Sequence, residues 1–424
     1  MSHVFSATRL PKTLARFVFS CCLVFTSTGV QSAIANTVTL QWAANSEPDL
    51  AGYRVYQGTT SGSFGPSFEV GNTTKYTVRN LQVGVRYYFV ITAYDIEGNE
   101  SVPSIEISQQ IPARPSDPIQ PGMPSPEDIK PGVIAAAVDP VWVIKGVGDL
   151  SGDGKADLVW RDTSTGAVGV WLMNGLTKVA DGIPGSAPMT WTIVGVGDVD
   201  GNGKADLVWR DTGTGAVGVW LMDGLTLGTT GVLTGTVPAS WGIVGIGDVN
   251  GDGKADLVWR NTADGTVAGW LMNGLSVPTT GVMAAAVDPT WVIVEVGDLN
   301  GDGKADLVWR NTVDGAVAGW LMNGLTLSES GVIAGTVPAA WDIVGIGEAN
   351  GDGMADMVWR NTADGTVAGW LMNGLSVLTT GVIGGAPTTW TIEGIGDVDG
   401  NGKDDLVWRN TVDGAVAGWL MNGQ

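Results

Sequence analysis

Residues 148–161 read GDLSGDGKADLVWR, and the stretch returns five more times. The later copies are GDVDGNGKADLVWR from 197, GDVNGDGKADLVWR from 247, GDLNGDGKADLVWR from 297, GEANGDGMADMVWR from 347 and GDVDGNGKDDLVWR from 396. Their first acidic residues are Asp149, Asp198, Asp248, Asp298, Glu348 and Asp397, at spacings of 49, 50, 50, 50 and 49. A fixed period of this length marks a propeller, a solenoid or an array. Each copy runs on into an Asp-Gly or Thr-Gly turn, then GAVAGWLMNG or a close variant, then a shorter stretch such as GVI or GVM.

Four short strands are expected in each unit. In the third they are WGIVGIG (241–247), DLVWR (256–260), TVAGWLM (266–272) and GVM (281–283), with Asp264-Gly265 as a two-residue hairpin signal. No 3.6-residue periodicity sustains a helix. Six four-stranded antiparallel units predict an all-β chain with a six-bladed β-propeller over residues 131–424. The ends fit closure. PGVIAAAVDPVW (131–142) resembles the inter-unit segment TGVMAAAVDPTW (280–291), and the last unit stops at GWLMNGQ without a fourth strand. Residues 132–134 are therefore expected to complete the last blade and remove the exposed edges. An open solenoid or a truncated array is the alternative, and the sequence leaves open whether the ring closes within one chain or between chains. Eighteen of the 19 Trp fall three per unit, which suits packing between blades; the other is Trp42.

The acidic loops carry the chemistry. Position 1 is Asp149, Asp198, Asp248, Asp298, Glu348 or Asp397; position 3 is Ser151, Asp200, Asn250, Asn300, Asn350 or Asp399. Position 5 is Asp153, Asn202, Asp252, Asp302, Asp352 or Asn401. Position 7, expected to offer its backbone carbonyl, is Lys155, Lys204, Lys254, Lys304, Met354 or Lys403. Position 9 is Asp157, Asp206, Asp256, Asp306, Asp356 or Asp405. Oxygen donors at alternating positions, with glycines between them, select a hard cation; Ca²⁺ takes six to eight oxygens and tolerates irregular geometry. Up to six Ca²⁺ are expected. An EF-hand is excluded, because position 12 is Trp rather than Glu. Glu348 and Met354 make the fifth loop the expected weakest site, and Ser151 is a poorer donor than Asp.

The rest of the chain narrows the function classes. Residues 1–35 hold Arg9, Lys12 and Arg16, an apolar run from Phe17, and Ala33-Ile34-Ala35. That order predicts a signal peptide cut after Ala35, and hence a secreted or cell-surface protein. The leader contains His3, Cys21 and Cys22, the only His and Cys of the chain. The rest therefore lacks both, which excludes Ser-His-Asp and Cys-His nucleophiles, His or Cys zinc sites, and disulfides. Losing three basic residues takes the net charge from −21 to −24. Such acidity argues against nucleic acid and anionic membranes as partners. No membrane insertion is expected. Residues 36–112 alternate apolar and polar in short runs, as in VTLQW (38–42), YRVYQG (53–58) and YYFVITAYD (87–95), and predict a β-sandwich. Residues 113–130, with five prolines, predict an extended linker.

Residues 131–424 resemble the FG-GAP/VCBS repeat family through the pattern D-x-[DNS]-G-[DN]-G-x-x-D, kept in five loops and changed once at Glu348. The resemblance implies a Ca²⁺-bearing β-propeller and a role in adhesion or ligand recognition. Residues 36–112 resemble a fibronectin type III domain through Trp42, the EPDLAGYRVY run and LQVGVRYYFVITAYD, with Tyr87 where that family has its tyrosine corner. A secreted calcium-binding adhesion protein with an extracellular protein or glycan partner is the leading expectation. The alternative is a multivalent lectin using Trp171, Trp220, Trp270, Trp320, Trp370 and Trp419 with Arg161, Arg210, Arg260, Arg310, Arg360 and Arg409. No enzyme is expected, because the repeated carboxylates are assigned to the loops.

Overall fold

The computed structural model describes residues 38–42, 44–45, 47, 49–78, 81, 86–110, 124–234 and 236–421. The leader, Gly84 and most of the Pro-rich segment lie outside these residues. The chain divides into two units, residues 1–118 and 119–424, with the division inside the Pro-rich segment. No helix occurs among the described residues, and so none is long and apolar enough to cross a membrane.

The first unit is a two-layer β structure. β1 (Val38–Gln41) pairs with β4 (Lys75–Val78); β3 (Phe68–Gly71), β2 (Leu50–Gly58), β5 (Arg86–Asp95) and β6 (Ile107–Gln110) form the other sheet in that order. Alternation along β2 and β5 sends Tyr53, Val55, Phe89 and Ile91 inward against Leu40 and Trp42. Trp42 meets Tyr53 edge to face at 5.4 Å. Tyr87 is buried and stacks on Phe89 at 6.4 Å.

The second unit is six four-stranded antiparallel sheets in a propeller-like arrangement. The third holds Trp241–Gly247, Asp256–Asn261, Val267–Asn273 and Ser276–Ala284. Three of these match expectation within a residue at each end. The fourth is three times the expected length, because Asn273 pairs with Ser276 across a tight turn at Gly274 (φ 59°) and the stretch to Thr280 continues the ladder. The turn after the second strand is also wider than expected. The Asn261 N–H donates to the Thr266 carbonyl, and Gly265 (φ 77°) donates back to Asn261.

The sixth sheet draws strands from both ends of the unit. Val416–Met421 pairs antiparallel with β7 (Ile129–Ala135), in the register Gly418 opposite Gly132 and Trp419 opposite Pro131. Between neighbouring sheets the core is aliphatic and indole. Val159, Val168 and Val170 of the first sheet pack with Leu207 and Trp209 of the second, and Trp160 of the first with Val407 and Val416 of the sixth. Burying an indole of this size contributes roughly 3 kcal/mol.

Candidate metal loops and the ring contacts around them

Each acidic loop joins the first and second strands of its sheet and folds around its own carboxylates. In the second loop, Asp198 Oδ1 accepts the N–H groups of Gly201 (2.7 Å) and Asn202 (3.2 Å), and Oδ2 that of Gly203 (2.7 Å). The same three bonds recur in the first, third, fourth and sixth loops. Gly201 and Gly203 have φ near 80°, which lets successive N–H groups face inward as an anion cradle. Glu348 takes the same role, accepting from Asn350, Gly351 and Gly353.

The position-9 aspartates are the buried members. Asp206 Oδ2 accepts the Val199 N–H (3.1 Å), and Oδ1 the Met222 N–H (2.9 Å) from the third strand. Its side chain is fully buried. Burial, only partly offset by these two bonds, pushes its pKa up to about 7. Burial likewise raises Asp157 and, further, Asp256, Asp306, Asp356 and Asp405, to between about 6 and about 8. Nearby acidic residues of each loop push the same way.

The loops differ in what they gather. In the second and sixth, carboxylate oxygens of positions 1, 3 and 9 come within 4.8 Å of one another: Asp198, Asp200 and Asp206, and Asp397, Asp399 and Asp405. Either triad could hold a metal ion. These are the two loops with Asp at position 3. In the first, third and fourth, position 3 is Ser151, Asn250 or Asn300, and the position-5 aspartates face the position-7 lysines. Lys155 meets Asp153 at 3.2 Å, Lys254 meets Asp252 at 3.8 Å and Lys304 meets Asp302 at 3.5 Å. In the second loop position 5 is Asn202, and Lys204 pairs with Asp223 instead. The position-7 N–H donates to the position-5 oxygen in every loop, at 2.8–3.0 Å. In the fifth loop Met354 is buried and Asn350 donates its amide to Asp352.

Neighbouring loops are tied into a cycle. The position-8 N–H donates to the position-1 carbonyl of the preceding loop: Ala205 to Asp149, Ala255 to Asp198, Ala305 to Asp248, Ala355 to Asp298, Asp404 to Glu348 and Ala156 to Asp397. Every bond is 2.5–2.7 Å. The arginines form a second cycle. Arg161 lies over Trp209, Arg210 over Trp259, Arg260 over Trp309, Arg310 over Trp359, Arg360 over Trp408 and Arg409 over Trp160, each 4.8–5.3 Å from the ring centroid. Arg161 also donates to the carbonyls of Gly166, Ala187, Pro188 and Trp191. Trp171, Trp220, Trp270, Trp320, Trp370 and Trp419 are part-buried against the indoles of the second strands, at 4.6–4.7 Å.

Two acidic residues break the repeat and escaped the sequence reading. Glu295 stands where the other first strands carry Gly146, Gly195, Gly245, Gly345 and Gly394, and burial raises its pKa to about 7. Asp404 replaces the alanine at position 8, accepts the Glu348 N–H at 2.8 Å, and is raised to about 6 by burial. Comparing the six copies position by position would have found both.

With this geometry in view, the chain's relatives fall into place. The FG-GAP-like repeat family matches residues 149–209, 198–259, 248–309 and 298–359, and the fibronectin type III domain matches residues 28–110. The chain therefore carries FG-GAP-like repeats and an N-terminal fibronectin type III domain. A curated relative is Exoglucanase B of Cellulomonas fimi, 30% identical over 101 residues, which are 23% of this chain and 9% of that enzyme. The chain thus spans under a tenth of that relative's length. Among solved structures, the Tc holotoxin pore of Photorhabdus luminescens is similar over 92% of this chain and 21% of its own, at 15% identity and a TM-score of 0.49. An Fn3-like protein from Clostridium thermocellum is 33% identical over 19% of this chain and 83% of its own, with a TM-score of 0.15.

Proposed function

We propose that residues 129–421 form a closed six-bladed ring, stabilised by Ca²⁺, that serves as an extracellular recognition or adhesion module. The cycle of position-8 N–H to position-1 carbonyl bonds carries this reading, because it makes every acidic loop a joint between two sheets. The register of β7 on Val416–Met421 and the cycle of arginines over indoles support closure.

The donor chemistry supports a hard cation. A carboxylate has about four lone-pair sites. After their N–H bonds, Asp198, Asp200 and Asp206 keep roughly one, three and two of these sites. Carbonyls or water complete a shell of six to eight oxygens. Ca²⁺ fits that set better than Mg²⁺, which demands a stricter octahedron. Six ions would bring the charge after residue 35 from −24 to −12. The leader supports export, and the partner is an extracellular protein or glycan. We assign no catalytic role: the repeated carboxylates are taken up by their loops.

The multivalent lectin reading loses its arginine ring, since those guanidinium groups are engaged with backbone carbonyls and indoles. The experiment is thermal unfolding of residues 36–424 in EDTA and in about 5 mM CaCl₂, with bound metal counted by atomic emission; extracellular sites bind at roughly 10⁻⁴ to 10⁻³ M. Calcium-dependent stabilisation with more than one ion bound per chain is expected. Identical melting in both buffers removes the metal from the proposal.

A further inference from the structure

We propose that the groove between the first and second sheets binds a neutral pyranose sugar. The inference deepens the recognition reading above and rests on it, but it does not depend on calcium.

The groove has a volume of about 450 Å³, within the range of small-molecule clefts. Its walls include Trp191, Trp209 and Trp220, with the hydroxyls of Ser186 and Thr230 at its rim. Trp209 is 1% exposed with Arg161 over its ring, so it backs the groove, and the half-buried Trp191 and Trp220 supply the accessible aromatic surface.

The seating of Trp191 and Trp220 follows departures from the repeat. Facing the start of each third strand, the fourth strand carries Thr234, Ala284, Ala334 or Ala135, but Gly185 in the first sheet and Gly384 in the fifth. From Gly185 the chain reaches the next first-strand tryptophan in six residues, one fewer than from Thr234. On the third strand, Gly218 and Gly169 of the first sheet stand where Ala268, Ala318, Ala368 and Ala417 stand. The short connection and the third-strand glycine coincide at this junction. A Cβ at 185 would meet the Trp220 ring at 3.1 Å, and one at 218 would meet Trp191 at 3.1 Å. Both indoles therefore rest against bare backbone.

The lining also defines the ligand. It contains no charged side chain, and the nearest, Arg161, is buried behind it and donates to the carbonyls of Ala187, Pro188 and Trp191, so an ionic ligand finds no exposed counter-charge in the lining. Aromatic walls favour a ligand with an apolar face. The Ser186 and Thr230 hydroxyls make no hydrogen bond within the described residues and are exposed, ready for a polar edge. A pyranose joins the two: its C–H face stacks on an indole, and its equatorial hydroxyls reach the rim.

The test titrates calcium-loaded residues 36–424 with methyl glucoside, galactoside, mannoside and fucoside and with N-acetylglucosamine, read by calorimetry and tryptophan fluorescence. At least one should saturate with a Kd of about 1 mM or tighter. Trp220→Ala should weaken it by about tenfold or more, as should Gly185→Thr, which installs the residue of the second sheet. Trp270→Ala, the same position one sheet on, should leave it unchanged. Melting curves of each variant separate lost binding from lost folding. No saturable sugar binding, binding only of indole or a proline-rich peptide, or equal weakening by Trp270→Ala overturns the proposal. Saturable binding in a protein whose melting ignores calcium leaves this inference standing while the metal reading fails.

Discussion

Raising the pH should destabilise the metal-free ring, and calcium should cancel the effect. The perturbation acts on the buried position-9 aspartates, whose pKa values burial lifts from about 3.8 to about 6 at Asp157, about 7 at Asp206, Asp256, Asp306 and Asp405, and about 8 at Asp356. Between pH 4 and 8 the folded state therefore holds more protons than the unfolded chain. Stability is highest below that window and falls as the pH rises through the folded pKa values. Three units correspond to about 4 kcal/mol per carboxylate. Six such terms exceed the 5–15 kcal/mol stability of a whole domain, so loop opening and water entry must relax most of the cost. If about a quarter survives, roughly 6 kcal/mol remains, or about 10 °C for a unit of this size. Glu295 and Asp404 act in the same direction, whereas Asp162, held down to about 2 by the Ser164 hydroxyl and neighbouring N–H groups, titrates below the window. A bound cation favours the charged carboxylates and so removes the proton linkage. The assay is calorimetry at about pH 5.5, 7 and 8.5, each in EDTA and in about 5 mM CaCl₂. About half of this loss falls between pH 5.5 and 8.5, so a fall of roughly 5 °C in EDTA and under about 2 °C with calcium is expected. A melting temperature in EDTA that stays level or climbs across the range refutes the reasoning.

Three further outcomes test the ring itself. Arg260→Ala should cost about 3 kcal/mol by urea unfolding, and Arg260→Lys should not restore it, because a lysine cannot span the carbonyls of Gly265, Val287, Asp288 and Trp291 while covering Trp309. Gly195→Val should cost more than about 2 kcal/mol, since its Cβ would enter the Ile246 side chain, whereas Gly242→Ala, with open space around it, should stay within about 0.5 kcal/mol in the same assay. Deleting residues 124–135 should expose the edge of Val416–Met421, lower the melting temperature and drive association visible by light scattering; a monomer of unchanged stability would refute closure by β7.

Strand positions were legible because each strand begins or ends at a punctuating residue. Trp241 and Gly247 bracket one strand, and Asp256 opens the next. The fourth strand was legible only at its apolar end, since Ser276–Thr280 carries Pro278 among hydroxyl residues and reads as loop until its partner is known. The donor types of the loops were legible, but their convergence was not. Whether Asp at position 3 or at position 5 joins the buried aspartate depends on the path of the cradle. In the first, third and fourth loops the position-5 side chain meets its own lysine rather than the centre. A structural role for the arginines was legible, but their partners were not: they are the carbonyl of a glycine five residues on and others 26 to 31 residues away, rather than a nearby aspartate.

Near-identity among the repeats separates structural roles from candidate functional ones. A residue present in all six copies, such as the arginine over an indole or the position-9 aspartate, answers a need that arises at every junction, and each junction uses it in the same way. It cannot distinguish one face of the ring from another. A residue present once cannot be required by the repeat and must be tolerated by its local surroundings. Glu295 replaces a glycine where the equivalent Cβ positions at 195 and 245 would enter the next sheet's Ile246 and Val296. Gly185 and Gly218 each forgo a side chain that four of the six copies carry, and the space is taken by the indoles of Trp220 and Trp191. Both indoles line the groove between the first and second sheets, so two departures from the repeat bear on one site, which makes that groove the part of the unit best suited to distinguish a ligand.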